Sequence, residues 1–446
     1  MRLARHLLLF CSLALLLPMT LVAQGKSDAS RPSDAAEVKA NELKVDLHLL
    51  SHGENRDGGL STSEADNESQ FLMNRERLII DYRRTGLETR LNVQHSGIWG
   101  QSGKGAFNVF EAWAKMNTKN GLFAQIGRVA LAYDDQRIIG TNDWAMASLS
   151  HDVLRLGYEG HGHKAHLIMA YNQNAEALTQ GGNYYANGAQ YYKSMLTAWY
   201  HYDVPQLPLG ASLLMMNIGM QAGERDKDPH TEYQQLLGGY VSYRPKYWTF
   251  EGSYYRQFGK NEDGLKIDAW MTSVKADWSP TTRFGLETGF DYLSGDKHFA
   301  VPPSGSLGFV RQYAIKGFNP IYGSHHKFYG AMDFFYVSTY VFGFTPGLQN
   351  AYVGVHCQPA KNLTMKADYH YLATATKLTE MDMTLGHEVE VQARYAFAKD
   401  ISLSVGYSYM MGTETMDKLK RANGDGHLRW AWFSLIVNPR ILSTKW

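Results

Sequence analysis

Glu388-Val389-Glu390-Val391-Gln392-Ala393-Arg394-Tyr395 leads through Ala398-Lys399-Asp400 into Ile401-Ser402-Leu403-Ser404-Val405-Gly406-Tyr407-Ser408-Tyr409. In the first stretch Val389, Val391, Ala393 and Tyr395 alternate with Glu388, Glu390, Gln392 and Arg394. In the second, Ile401, Leu403, Val405, Tyr407 and Tyr409 alternate with Ser402, Ser404, Gly406 and Ser408. Side chains of a strand point alternately to opposite faces, so strict period-two alternation means a sheet with one apolar and one polar surface. Tyr and Trp gather near the ends of such segments, as at a lipid boundary.

Working outward, candidate strands begin near Leu43, Gln70, Leu87, Phe107, Leu122, Val153, Lys164, Ser194, Leu209, Gln235, Tyr247, Ile267, Arg283, Gln349, Leu363, Leu385, Ile401 and Arg429. Every second connection is short: Arg84 to Gly86, Thr118 to Gly121, Gly160 to His163, Val204 to Pro208, Pro245-Lys246, Ser279 to Thr282, Pro359 to Asn362 and Ala398 to Asp400. Nearly all the others are longer. Outer-membrane barrels place short turns in the periplasm and long loops outside. The chain therefore reads as all-β, a transmembrane antiparallel β-barrel of about 18 strands with short periplasmic turns and long extracellular loops.

Arg2 and Arg5, an apolar run from Leu7 to Leu17, and small residues near Ala23 predict a signal peptide over residues 1–23. Cys11 leaves with it, and Cys357 is then alone. Residues 24–42 read as a flexible periplasmic lead and 43–446 as the barrel. Basic and acidic residues number 44 and 43. Near-neutrality argues against a nucleic-acid partner. Apolar runs end before the ~18 residues of a membrane helix. Aromatics at 13%, with 28 Tyr, suit two interfacial belts.

Two long loops stand out, from about Ala132 to Asp152 and from about Gly295 to Leu348; loops of that length are usually functional or disordered. Phe328 to Val337 reads as an aromatic plug-like element inside the second, because an extra strand would make the count odd. By alternation the inward charges are Arg75, Arg77, Asp81, Glu88, Arg90, Glu111, Lys115, Glu251, Lys275, Asp277, Glu287, Asp291, Lys366, Asp368, Glu388, Glu390 and Arg394. Their outward neighbours include Leu91, Val93, Trp248, Phe250, Trp270, Val274, Phe290 and Met365. Seven of these inward charges are basic and ten acidic, so the reading is an aqueous passage with weak preference between small ions.

The stretch Gly127-Arg128-Val129-Ala130-Leu131-Ala132-Tyr133-Asp134-Asp135-Gln136-Arg137-Ile138-Ile139-Gly140-Thr141-Asn142-Asp143-Trp144, then His151-Asp152, carries a resemblance. With His325 to Phe335 and Leu385-Gly386-His387-Glu388-Val389, it resembles the alginate-export family of outer-membrane porins, particularly its Bacteroidetes members. The resemblance implies a monomeric 18-stranded barrel in the Gram-negative outer membrane, passing polysaccharide, oligosaccharide or other hydrophilic solutes without an energy source. The mixed lumen charge departs from the family exporter's electropositive constriction, so alginate as the solute does not follow. Arg128, Asp134, Asp135, Arg137, Asp143 and Asp152 match the first motif and are the expected network at the constriction. Arg75, Arg77, Arg90, Lys115, Lys275, Lys366, Glu388, Glu390 and Arg394 are the expected lumen lining. The expected partners are outer-membrane lipid, the solute, and the barrel-assembly machinery during insertion.

No catalytic residue, cofactor or metal is expected. His161, His163 and His166 share a short turn and read as solvated, since ligation needs convergent side chains. No Gly-x-Ser-x-Gly elbow or phosphate loop occurs. A barrel-embedded hydrolase and a plugged barrel with an adhesive or structural role stay open as alternatives. An energy-coupled transporter fits less well, because the stretch before the first strand is too short for a folded plug domain.

Overall fold

The structure is a computed structural model describing residues 41–58, 68–101, 103–173, 184–185, 190–296, 314–335, 345–378, 381–420 and 427–446. The signal peptide and nearly all of the lead lie outside the described residues. The wall strands are β1 Glu42–Asp57, β2 Ser69–Arg84, β3 Leu87–Ile98, β4 Ala106–Asn117, β5 Leu122–Val129 and β6 His151–Gly160. There follow β7 His163–Tyr171, β8 Ser194–Asp203, β9 Leu209–Ala222, β10 His230–Tyr243, β11 Trp248–Lys260 and β12 Lys266–Thr281. The last six are β13 Phe284–Leu293, β14 Leu348–Ala360, β15 Leu363–Ala373, β16 Thr384–Ala398, β17 Ile401–Gly412 and β18, which runs His427–Val437 and resumes as Arg440–Lys445.

Each strand pairs antiparallel with its neighbours in sequence, and β18 closes the ring on β1. The seam extends from Asp57 opposite Arg429 to Glu42 opposite Lys445. Its register shifts once, between Val45 and Asp46, which face Leu442 and Arg440; where Asn438-Pro439 divides β18, the Pro439 carbonyl still accepts from Leu47 N–H at 3.1 Å. Closure matters because hydrocarbon offers no partner to an unpaired strand edge. The 18 strands foreseen from turn lengths are the 18 observed, and the fold is an antiparallel barrel.

The lipid face is where the alternation places it. Leu91, Trp248, Phe250, Trp270, Val274, Phe290 and Met365 are exposed, while Arg75, Arg77, Glu111, Glu287, Asp291, Asp368, Glu388 and Glu390 are buried inside. A charge on the lipid face would cost about 2–4 kcal/mol at the midplane, which fixes the register of every strand.

The upper, extracellular half of the inner wall departs from a wet lumen. Ile168, Leu214, Met216, Ile218, Leu236, Ile267, Met271, Leu293, Leu348, Leu372 and Trp430 point inward and are almost fully buried. They pack on Leu131, Ile138, Ile139, Tyr322, Met332, Phe334 and Phe335, which belong to the two long loops. The described part of the predicted plug-like element, Phe328 to Phe335, is a series of turns after a 3-10 turn at His325–Lys327. A two-residue strand, Ala314–Ile315, runs parallel to the start of β12. Above β17, the short helix α1 (Glu414–Lys420) buries Met416 and Leu419.

The topology has a direct check. Single cysteines placed at Asp226 and Lys418 on intact cells are expected to react with an impermeant maleimide, and cysteines at Lys246 and Lys399 are not. Efficient surface labelling of the second pair would invert the barrel.

Candidate functional site: two segments folded into the lumen

After Val129 the chain leaves the wall and crosses the barrel interior before rejoining it at His151. Left-handed backbone at Asp134 (φ 52), Gln136 (φ 68), Asn142 (φ 45) and Ser148 (φ 51) makes the tight turns this path needs. Asn and Asp tolerate that region better than most residues.

The first anchor is on β8 and β9. Asp134 accepts from Ser212 Oγ at 2.5 Å and from Trp199 Nε1 at 3.2 Å. Burial raises the Asp134 pKa above the ordinary carboxyl value, and those two hydrogen bonds oppose the rise. Beside it, Tyr133 OH shares a hydrogen bond with His166 Nδ1 at 3.0 Å and accepts from Arg155 at 3.2 Å.

The second anchor is central. Asp135 accepts from Arg137 N–H at 3.0 Å and from its Nε at 3.2 Å. Arg137 Nη1 reaches Asp291 Oδ1 on β13 at 3.1 Å and donates to Tyr329 OH at 3.0 Å, while its guanidinium lies 3.9 Å from the Phe328 ring centre. Arg137 and Asp291 are 4% and 1% exposed. Burial disfavours the Arg137 charge, but Asp291, Tyr329 and Asp135 outweigh it and hold the guanidinium well above its usual range.

The third anchor is on β2 and β3. Arg77 donates to Asp143 Oδ1 at 2.7 Å and to Ser148 Oγ at 2.8 Å. Arg75 donates to the carbonyls of Asp143 and Ala145 at 2.9 and 3.0 Å, and Gln94 to that of Met146 at 3.0 Å. Burial pushes the Asp143 carboxyl up, yet Arg75 and Arg77 prevail and its pKa is lowered.

The second long loop is fastened to the first. Ile139 bridges Tyr322 in parallel, Gly140 N–H donates to the Tyr322 carbonyl at 2.7 Å, and Asn142 N–H donates to Ser324 Oγ at 2.9 Å. Gln257 of β11 exchanges hydrogen bonds with Asn319, and Glu388 of β16 accepts from Met332 N–H at 2.9 Å. Gly330 sits at φ 91 against the Glu388 carboxylate, where any Cβ would collide. His326 stacks on Trp144 at 4.0 Å and pairs with Asp333 at 2.9 Å.

Beneath these segments the lumen is polar. A cavity of about 310 Å³ is bounded by Arg137, Asp291, Tyr240, Glu251, Lys275, Glu287, Lys327 and Tyr352. A second of about 280 Å³ is bounded by Trp144, His326, Lys327, Glu390, Gln392 and Trp432, and a third of about 340 Å³ by His356, Arg394 and Ser404 near the periplasmic mouth. Lys366 borders all three. Most charges here are paired: Lys366 with Glu287 at 2.8 Å and Asp368 at 2.9 Å, Lys275 with Glu287 at 2.9 Å, Arg90 with Asp81 at 2.7 Å and Glu111 at 3.3 Å. Lys115 lies over the Phe123 ring, and Arg394 donates to Ser402.

Two of the expected constriction residues lie elsewhere. Arg128 and Asp152 face each other across β5 and β6, joined by two hydrogen bonds of 2.8 and 2.9 Å. They share the parity of the exposed Ile126 and Leu154, so this pair is on the outer wall. The motif begins and ends inside strands, and only its middle enters the lumen. His163 and His166 likewise point to opposite faces of β7, so the turn histidines do not converge. Among the described residues no group of three or more His, Cys, Asp or Glu is placed to hold a metal. Lys327, Tyr329, Ser324 and Trp144 were not singled out as site residues, although all lie in the two motif-bearing loops.

A closed barrel with apolar outer belt, polar lower lumen and inward-folded loops defines an outer-membrane channel for small solutes of the porin class. The chain belongs to the alginate export family, whose sequence profile matches residues 102–423. Among solved structures, the barrel is similar to Acinetobacter baumannii OccAB1, with 10% identity, TM-score 0.61, 92% of this chain and 100% of that one covered. It is also similar to Pseudomonas aeruginosa OccK5 (OpdH), at 10% identity and TM-score 0.60 over 90% and 98% of the two chains. Pseudomonas aeruginosa OccK11 (OpdR) gives 12% identity and TM-score 0.57 over 90% and 96%. No curated protein matches the chain at a significant level.

Removing one partner of a buried ion pair strands the other, at a cost of about 3–5 kcal/mol. Arg137→Ala is therefore expected to free both segments, seen as faster protease cutting within residues 130–150 of the folded barrel; unchanged protection would show that the pair does not hold them. Asp143 has a lowered folded pKa, so its contribution is complete above roughly pH 5 and is lost as pH falls below about 4. Hydrogen exchange of the 143–148 amides should rise over that acid window and lose the dependence in Asp143→Asn.

Proposed function

We propose that this protein is a passive channel for hydrophilic solutes, oligosaccharides or polysaccharide among them, with the two inward-folded segments as its constriction. The observation that carries this reading is the run of three cavities sharing Lys366, the first two lying against segments pinned by the buried Arg137–Asp291 pair and the third towards the periplasmic mouth. Asp134, Asp135, Arg137 and Asp143 hold the constriction's shape in this account. Arg75, Arg77 and Glu388 hold it from the wall.

One chain closes the ring, which supports a monomer as the unit that the barrel-assembly machinery inserts. A second reading, a plugged barrel with an adhesive or structural role, draws on the apolar core between the loops and the upper wall. Steady single-channel conductance in a planar bilayer supports the channel, and its absence in folded, correctly inserted protein supports the plug.

Because most lumen charges are paired within a Debye length of about 8 Å, selectivity between small ions should be weak. Lys327, like Lys115 and Arg394, has no acidic partner within 4 Å among the described residues, and it is exposed on the 3-10 turn and borders two of the cavities. Lys327→Glu is expected to move the reversal potential in a KCl gradient towards cation preference. An unmoved potential would place Lys327 outside the conducting path.

A further inference from the structure

On the outer face of the β11–β12 hairpin, at its extracellular end, three cations gather. Arg256 and Lys260 alternate with the buried Tyr255 and Gln257, and Lys266 with the buried Ile267. Arg256 and Lys260 are more than half exposed. Register places Lys260 directly opposite Lys266. Like charges so opposed destabilise a sheet unless a counter-charge lies over them. Arg256 is held by Asp268 at 3.0 Å and Lys260 by Glu232 at 3.2 Å, whereas Lys266 has no acidic partner within 4 Å among the described residues.

The surroundings identify the level in the membrane. Tyr254, Phe258 and Trp270 are exposed on the same face just below, with Tyr254 and Trp270 stacked at 6.1 Å. Aromatic rings of this kind mark the boundary between hydrocarbon and headgroups. The connecting turn, Asn261 to Leu265, is only five residues and is tied down by Asn261, whose side chain accepts from the Asp263 and Leu265 N–H groups. Its acidic residues Glu262 and Asp263 are at the tip, beyond the sheet.

We propose that this patch binds the phosphorylated headgroup of an outer-leaflet lipid, with a phosphate lying between Lys260 and Lys266 and Arg256 directed to it from below by Asp268. The outer wall carries two more cross-strand Arg–Asp pairs, Arg128–Asp152 and Arg429–Asp57, so the pairing of Arg256 with Asp268 is not unique to this hairpin. A phosphate needs several donors at once, and opposed lysines with an oriented guanidinium supply them.

The test uses the full-length mature barrel in a neutral detergent, with binding read by native mass spectrometry. The probes are a bis-phosphorylated diglucosamine lipid, its phosphate-free counterpart and inorganic phosphate. Wild type is expected to retain the phosphorylated lipid at least tenfold more tightly than Lys260→Gln/Lys266→Gln, while the phosphate-free lipid binds both alike. Lys399→Gln, on a periplasmic turn, is the control and should match wild type; heat-modified gel mobility confirms that all variants are folded. Equal retention by wild type and the double variant, or equal retention of both lipids, would overturn the proposal. So would inorganic phosphate at low concentration displacing the lipid, which would mark a free-ion site rather than a lipid surface.

Discussion

The constraint on which everything else depends is that a strand in hydrocarbon has no water to satisfy its edge. The sheet must close, and here it does so by pairing β1 with both β2 and the two-part β18. Closure then separates two solvents, and each strand must send one parity to lipid and the other inward. That single requirement explains both the exposed Val274 and Leu213 and the buried Arg75 and Glu388. It also creates an interior that loops can enter without meeting lipid.

What enters is held by charge rather than by regular structure. The crossing segment is fixed at β8–β9 by Asp134, at β13 by Arg137 and at β2–β3 by Asp143, three points spread around the ring. Between these points, Leu131, Ile138 and Ile139 supply the apolar contact. Polar anchors give position, because hydrogen bonds and ion pairs are directional, and the apolar contact gives adhesion, because it is not. The second segment follows the first through the Ile139–Tyr322 bridge and the Arg137–Tyr329 bond.

The strands were legible because lipid exposure enforces alternation and because turn length distinguishes the two sides of the membrane. The lower lumen was legible for the same reason: Lys275, Glu287, Lys366 and Glu390 alternate with apolar neighbours. The upper lumen was not. In β9, Leu213-Leu214-Met215-Met216 is apolar on both faces, since Leu213 meets lipid and Leu214 and Met216 meet the folded-in loops, and such a run carries no periodicity. Arg128 and Asp152 were misplaced because opposite charge in a loop-like motif looks the same whether it faces lumen or outer rim; only the extent of β5 and β6 decides it. Arg137's partner, Asp291, is 154 residues away in sequence, and no local pattern joins them.

The most direct test of this account is single-channel conductance after residues 136–148 and 318–333 are both replaced by short Gly-Ser linkers in an otherwise native barrel. If these segments set the narrowest section, conductance should rise several-fold over wild type and lose what selectivity it had. Conductance equal to wild type, in a variant whose barrel is shown to be folded and inserted, would mean that the narrowest section lies elsewhere and would contradict the account.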